Sequence, residues 1–129
     1  MVNLSDITGL KIFGIYRNRV YLVRQVDVGR KYLSGYVQVL AEDKKIIDST
    51  EGTDKYEKVD SHISMHGGCT WYEPIERGFG DTNITFIGFD CGHFEDMKKP
   101  KDVDYVELEC KRIIEQLCNL QKGETNERD

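Results

Sequence analysis

Two short runs in the middle of the chain combine glycines with side chains that bind protons, metals or phosphate. Residues 65–71 read MHGGCTW (the HGG motif), and residues 87–96 read IGFDCGHFED (the GFDC motif). Together they hold two of the three histidines and two of the four cysteines of the chain. Glycine lets the backbone approach a ligand closely or adopt a positive φ. We therefore predict that the function lies in these two motifs.

The glycines of the HGG motif favour a site for a phosphate group. Successive backbone amides of Gly67, Gly68 and Cys69 can form a concave nest around an anionic oxygen. The Thr70 hydroxyl and the His66 ring can each donate a further hydrogen bond. This arrangement predicts a nucleotide rather than a neutral ligand.

The remaining polar and aromatic residues of the two motifs suit the rest of a nucleotide. The Trp71 ring offers a flat face on which a base can stack, and Asp90 can accept a hydrogen bond from an amino or hydroxyl group. The predicted ligand-binding residues are His66, Gly67, Gly68, Cys69, Thr70, Trp71, Arg77, Asp90 and His93.

A metal site is an alternative interpretation of the same motifs. Zinc accepts imidazole, thiolate and carboxylate ligands, so six side chains qualify by type: His66, Cys69, Asp90, Cys91, His93 and Asp96. In an extended strand Asp90 and Cys91 point to opposite faces, so at most one of them joins a site formed with His66. The candidate zinc set is His66, Asp90, Cys91 and His93.

Catalytic and purely structural interpretations also remain open. Cys91 with His93, or Cys69 with His66, could form a nucleophile and base, although such pairs are defined by geometry and not by proximity in sequence. The H-x-E and P-C-x-x-C pattern of zinc deaminases is missing. The motifs could equally be two tight turns joined by a hydrogen bond from His66 to Asp90. We assign no catalytic residues and no resident cofactor.

The charge of the chain restricts its partners. A formal charge of −5 and a pI near 5.2 argue against sequence-independent binding of DNA or RNA, which requires an excess of Lys and Arg. A phosphate-bearing ligand would still need cations, for which Arg77 is the favoured candidate because it lies in the Gly-rich link between the motifs. The candidates are Arg17, Arg19, Arg24, Arg30 and Arg77.

The absence of an apolar span and of an export signal in the sequence predicts a cytoplasmic protein. No apolar run approaches the roughly 18 to 20 residues that span a bilayer, and the first residues lack the pattern of an export signal. The four cysteines are therefore expected to be free thiols, and they form no C-x-x-C pair. Cys110 and Cys118 are expected to be small core or interface residues of a helix.

The first forty residues predict an antiparallel meander that would support the motifs. Residues 10–16, 20–26 and 32–40 are rich in β-branched and aromatic residues, with turns expected at 18–19 and 27–31. Residues 41–58 are polar and predict a mobile, partly helical connection that could act as a lid. Residues 59–65 alternate apolar and polar types, which predicts a strand leading into the HGG motif.

The last part of the chain predicts one strand and one long helix. Residues 84–90 form a strong strand pattern, and apolar residues recur at helical spacing from Val103 to Leu120 after the entry signals Pro100 and Asp102. We predict an α+β fold: an antiparallel sheet of about five or six strands, one C-terminal amphipathic helix packed on it, and both motifs at one rim. A single domain is expected over residues 1–122, with a flexible tail at 123–129.

The two motifs together resemble a group of small bacteriophage and prophage proteins that share HGG-x-T-aromatic followed by GFDC-x-H. Residues 35–39, GYVQV, look like the upstream Gly-Tyr-Val segment of that group, so the resemblance extends over roughly residues 32–96. The chain departs from the group where Trp71 replaces the commoner Tyr, where Gly92 replaces Ala, and where residues 94–95 replace Ala-Gly.

The resemblance implies a role in the infected bacterial cell. By analogy with viral anti-defence proteins, it implies a homo-oligomeric binding protein that sequesters a nucleotide immune signal, such as a cyclic dinucleotide, without turning it over. Two alternatives stay open: a metal-dependent or cysteine-based enzyme acting on a nucleotide, and a direct protein inhibitor of a host defence factor.

Overall fold

A five-stranded antiparallel sheet with helices forms the body of the computed structural model, which describes residues 9–52, 54–74 and 84–123. The strands lie in the order β1-β2-β3-β5-β4, and every neighbouring pair is antiparallel. The elements in chain order are β1 (Leu10–Tyr16), β2 (Arg19–Asp27), β3 (Lys31–Val39), α1 (Ala41–Asp48), α2 (Lys55–Asp60), β4 (Trp71–Pro74), β5 (Thr85–Asp90), α3 (Phe94–Lys98) and α4 (Val103–Gln121).

The helix α4 covers one face of the sheet, as the sequence predicts. Its apolar positions at Val106, Cys110, Ile113 and Leu117 are fully buried against the central strands. The helix approaches the sheet closely at Gly35, where an added Cβ would lie 2.8 Å from the Cys110 sulfur. The α+β class and the C-terminal packed helix are thus confirmed.

Both ends of α4 follow the predicted local signals. The Asp102 carboxylate accepts a hydrogen bond of 2.9 Å from the Tyr105 amide, which caps the first turn. Beyond the last turn Gly123 adopts a φ of +77°, which only glycine adopts readily. The remainder of the predicted tail lies outside the described residues. Within the described ranges, none of the helices has the length and apolarity needed to cross a membrane.

The segment between β3 and β4 differs from the predictions. Residues 59–65 do not form a strand: the Asp54 side chain caps α2 by accepting from the Tyr56 and Glu57 amides, and helical structure extends to Asp60. Val59 and Ile63 are both fully buried, and their spacing of four residues fits a helical turn as well as an alternating strand. The HGG motif therefore follows an irregular segment and not a strand.

The helix α1 is part of the core and not a lid. Ile47 is completely buried, and Asp48 accepts a hydrogen bond of 2.7 Å from the Tyr72 hydroxyl. The helical part of the prediction for residues 41–58 is confirmed, because α1 and α2 occupy much of it.

A buried ion pair joins α1 to the first hairpin. Arg17 and Asn18 form the turn between β1 and β2 with positive φ angles of 47° and 65°, so the turn lies one residue earlier than predicted. Arg19 instead belongs to β2, is 2% exposed, and donates to the Asp43 carboxylate at 2.5 and 3.2 Å. Asp43 also accepts from the Leu40 amide and the Gln121 side chain. One carboxylate thus joins β2, α1 and α4.

Removal of this carboxylate should be strongly destabilising. Asp43→Ala leaves the Arg19 guanidinium buried without its counter-charge, for which we expect a loss of about 3–5 kcal/mol in the free energy of unfolding. Urea denaturation followed by circular dichroism measures it.

The control is the double variant Arg19→Met/Asp43→Leu, which removes both charges and keeps apolar volume. We expect it to be clearly more stable than Asp43→Ala. Equal stability of the two variants would show that the ion pair is not the cause of the loss.

Candidate functional site

Polar side chains of α4 hold the loop that carries the HGG motif. Gln116 exchanges two hydrogen bonds of 2.7 Å with the Ser64 backbone, and the Arg112 guanidinium donates to the Ser64 carbonyl oxygen at 3.0 Å. Glu109 accepts from the His66 amide at 2.8 Å and from the Arg112 guanidinium. These three helix residues give the irregular loop a fixed path along the helix.

A hydrogen bond between His66 and Asp96 joins the two motifs. The His66 Nε2 atom lies 2.8 and 3.0 Å from the two oxygens of the Asp96 carboxylate, and the Tyr105 hydroxyl lies 2.9 Å from His66 Nδ1. Asp96 is only 4% exposed and also accepts from the His93 amide at 3.3 Å, at the start of α3. The predicted partner Asp90 is therefore wrong, because the carboxylate that reaches His66 comes from the first turn of α3.

Cys91 completes a compact group with this pair. The ligand atoms of His66, Cys91 and Asp96 all lie within 4.8 Å of one another. The Cys91 amide continues the sheet by donating to the Leu33 carbonyl oxygen at 2.8 Å. Cys91 is buried on the α4 side of the sheet, while Asp90 lies on the other side, so the predicted separation of these neighbours is correct.

The predicted zinc set is only partly brought together. In the described part of the chain, His66 and Cys91 belong to the one compact group of metal-ligating side chains, but Asp90 and His93 do not. The Asp90 carboxylate accepts from the Gly92 amide at 2.9 Å and lies 3.6 Å from His93 Nε2. Asp96 takes the place that the prediction gave to Asp90.

The predicted phosphate nest is occupied by the protein itself. Gly67 and Gly68 have the positive φ angles of 68° and 87° that a nest needs. However, the Gly68 amide donates to the Met65 carbonyl oxygen at 3.0 Å, and the Cys69 amide donates to the Asp60 carboxylate at 2.8 Å. An internal carboxylate thus already takes the role that was predicted for a ligand anion.

Gly67 allows a close contact within the protein instead of the predicted contact with a ligand. A Cβ added there would lie 2.4 Å from Nε2 of His93. That nitrogen is buried and has no hydrogen-bond partner among the residues that the structure describes. Gly67 thus lets the HGG motif pack directly against the His93 ring of the GFDC motif.

Three further predicted ligand residues line a cavity whose lining does not include His66. Thr70, Trp71 and Asp90 line a smaller cavity of about 280 Å³ together with Arg24 and Tyr36. The Trp71 ring makes an edge contact with Tyr36, and the Arg24 guanidinium lies 5.0 Å from the Tyr36 ring centre. The predicted residues therefore do not line one common pocket, and His93 lies between the two groups, with its Nε2 atom 3.6 Å from the Asp90 carboxylate and its ring centre 6.3 Å from that of His66.

A larger cleft of about 680 Å³ adjoins the His66 group, because both Cys91 and Asp96 line it. One wall comes from β1 to β3 and the other from the segment between α3 and α4. Two carboxylates, of Asp96 and Asp102, and four cationic side chains lie around it, and the cations exceed the carboxylates by two. The cations are Lys11, Arg30, Lys31 and Lys101, and the Tyr32 ring and Gln25 lie among them. This basic cleft combines positive charge, an aromatic face and polar groups.

Arg30 is a predicted cation that lines the basic cleft. Its guanidinium donates to the Gly92 carbonyl oxygen and lies 5.2 Å from the Tyr32 ring centre. A Cβ at Gly92 would lie 2.9 Å from that same ring, so a larger residue at this position would require the ring to move. Lys11, Lys31 and Lys101 were not predicted, because isolated lysines on strands and loops carry no sequence signal.

The other predicted cations have structural partners or lie outside the described residues. Arg17 pairs with the exposed Glu115 carboxylate, and Arg19 pairs with buried Asp43. Arg24 donates to the Tyr36 hydroxyl at 2.9 Å. Arg77 falls in residues 75–83, which are not described.

The buried cysteines are poor nucleophiles at neutral pH. Burial raises the pKa of the Cys69 thiol to about 11, and burial together with the nearby Asp96 and Asp90 carboxylates raises the pKa of the Cys91 thiol to about 12. The thiolate is the reactive form of cysteine, so both side chains are almost entirely unreactive thiols near pH 7. This weighs against the predicted cysteine–histidine nucleophile pairs.

Comparison of the chain with protein-family models, with curated proteins and with solved structures finds no match. The resemblance to the phage group thus stays a prediction. The function has to be argued from the geometry of this chain.

Thiol alkylation tests the assignment of the cysteines. At pH 7.5 we expect iodoacetamide to modify the partly exposed Cys118 first in the native protein. A pKa raised by two units lowers the thiolate fraction about 100-fold, so Cys69 should react at least that much more slowly than an ordinary thiol. Its rate should rise as the pH approaches 11. Peptide mass spectrometry after timed quenching gives the four rates.

Urea-unfolded protein is the control, in which all four cysteines should react at similar rates. Modification of Cys69 or Cys91 in the native protein as fast as Cys118 would contradict the assignment and restore the cysteine-based enzyme as a candidate.

Proposed function

We propose that this protein binds a phosphate-bearing small molecule, a nucleotide, in the basic cleft and holds it without chemical conversion. The observation that carries the proposal is the convergence of four cationic side chains on one cleft of an acidic chain. A net charge of −5 gives no general reason for lysines and arginine to gather there. A local cluster of this kind attracts anions even when the protein as a whole repels them.

The size and lining of the basic cleft suit a nucleotide. Small-molecule sites commonly occupy about 300–1,000 Å³, and the cleft has about 680 Å³. The half-buried Tyr32 ring provides an aromatic surface for a base, and the Gln25 amide can both donate and accept hydrogen bonds. Apolar contacts come from Leu33, Met97, Pro100 and Val103.

Two features favour binding over turnover. The raised pKa values of the Cys69 and Cys91 thiols remove the obvious nucleophiles. The His66 Nε2 atom is held by the Asp96 carboxylate, and His66 is not among the described residues that line the cleft. The phage resemblance implies sequestration of a nucleotide immune signal. Sequestration requires that the protein bind the nucleotide tightly, and it requires no catalytic group.

Charge reversal in the basic cleft should weaken ligand binding. The probes are cyclic di-AMP, cyclic di-GMP and AMP, measured by isothermal titration calorimetry in low salt. Lys11 and Lys31 are exposed, so Lys11→Glu and Lys31→Glu should fold normally, and each should raise the Kd at least about tenfold by placing a negative charge beside phosphate. The matched control is Lys45→Glu, a charge reversal at an exposed position on α1 outside the cleft, which should leave the Kd unchanged.

Recovery of the ligand separates the candidate functions. After prolonged incubation and denaturation, mass spectrometry should find the bound nucleotide intact. A converted nucleotide would replace sequestration with catalysis. No binding of any probe would contradict the proposal and turn attention to a host protein as the target.

A further inference from the structure

We propose that His66, Cys91 and Asp96 form a binding site for a divalent transition metal of the zinc class. The group brings together one imidazole nitrogen, one sulfur and one carboxylate, whose ligand atoms all lie within 4.8 Å of one another. These atoms come from three separate segments: the irregular loop before β4, the residue after β5, and the first turn of α3. The site goes beyond the proposed nucleotide binding and does not depend on it.

The chemistry of the donor set selects the metal. A thiolate favours zinc and other soft or borderline ions, whereas calcium and magnesium take oxygen ligands almost exclusively. Zinc bonds to sulfur at about 2.3 Å and to nitrogen or carboxylate oxygen at about 2.0–2.2 Å. Around a tetrahedral ion these bond lengths place the ligand atoms about 3.3–3.6 Å from one another, so atoms that lie at most 4.8 Å apart can reach them by side-chain adjustment.

The surrounding residues orient the ligands as protein metal sites require. Tyr105 places its hydroxyl 2.9 Å from His66 Nδ1, so it can accept the proton that this nitrogen carries when Nε2 is bound to a metal. The Glu109 carboxylate fixes the His66 backbone amide at 2.8 Å. Asp96 is held by its place in α3 and is 4% exposed. All three parts of the site are thus positioned before an ion arrives.

Metal binding has a defined proton balance. The hydrogen bond from His66 Nε2 to Asp96 is replaced by bonds from each residue to the ion. The Cys91 thiol loses its proton to solvent and becomes a thiolate. The metal-bound imidazole carries its one ring proton on Nδ1, facing the Tyr105 hydroxyl. The Cys91 thiol proton is released for each bound ion.

The position of the site predicts an open coordination position. Among the residues that the structure describes, three protein ligands come together; zinc commonly takes four, so a further position is open to water or a ligand oxygen. Cys91 and Asp96 line the basic cleft, so this position lies beside it. If the proposed function holds, a phosphate oxygen of the bound nucleotide is the natural fourth ligand.

Cobalt provides a direct spectroscopic test in the full-length chain. Chelator-treated protein titrated with Co²⁺ should show one equivalent bound, with a sulfur-to-cobalt charge-transfer band and the intense d–d bands of tetrahedral coordination. Zn²⁺ should then displace the cobalt. Cys91→Ser should abolish the charge-transfer band, and Asp96→Asn should weaken binding by more than the roughly 10–100-fold that loss of an outer partner costs.

Matched controls separate this site from the alternatives. Cys69→Ser removes another buried thiol of the HGG motif and should leave the cobalt spectrum unchanged. Asp90→Asn and His93→Gln should also bind cobalt normally, because their side chains lie outside the group. Loss of binding in either of these two variants would instead support the zinc set predicted from sequence and overturn the present one.

If Cys91→Ser or Asp96→Asn does not fold, a more conservative variant still tests the metal site. Tyr105→Phe removes only a hydroxyl and should lower the affinity for Zn²⁺ about 10–100-fold while the circular dichroism spectrum stays native. No cobalt binding by the folded wild-type chain would overturn the proposal and leave the His66–Asp96 pair as a structural hydrogen bond. Nucleotide titrations in the presence of EDTA test the proposed function separately from the metal.

Discussion

The carboxylate of Asp96 is the point at which the two motifs and the wall of the basic cleft meet. A buried carboxylate is stable only if it receives hydrogen bonds, and this one receives them from the His66 ring and the His93 amide. Because Asp96 belongs to α3, the same bonds fix the segment after it, which supplies Met97 and Lys101 to the cleft. The position of the loop before β4 and the shape of the cleft therefore depend on each other.

Cationic side chains are concentrated at one cleft while several carboxylates of the chain pair with donors elsewhere, so an acidic protein can have a basic cleft. Three acidic side chains of α4 are engaged by neighbouring donors: Glu107 by the Tyr21 hydroxyl at 2.6 Å, Glu109 by Arg112, and Glu115 by Tyr16 and Arg17. None of these three carboxylates lines the basic cleft, where four cationic side chains face the carboxylates of Asp96 and Asp102. Net charge alone thus describes this surface poorly, and the position of each charge decides what it can attract.

Sequence reasoning was successful where a local pattern determines the structure. The meander and α4 follow strong apolar periodicity, and Asp102 and Gly123 mark the ends of the helix as expected. The partners of His66 were beyond such reasoning because Asp96 and Tyr105 lie 30 and 39 residues away in the chain, and only the folded packing brings them to the ring. The prediction of a strand at 59–65 was wrong because the apolar spacing of this segment also fits a helical turn. The Asp54 side chain caps α2 and thereby favours the helix.

The strand order implies that the site formed by His66, Cys91 and Asp96 assembles late in folding. Tight turns connect β1, β2 and β3, whereas Val39 pairs with Thr85, which lies 46 residues later in the chain. Closing so long a loop costs more entropy than forming a hairpin, and non-local pairing of this kind slows folding. We expect the meander to form early and the docking of β5, which brings Cys91 and Asp96 to His66, to come late. A ligand or ion at the site would then stabilise the last step of folding and leave the first steps untouched.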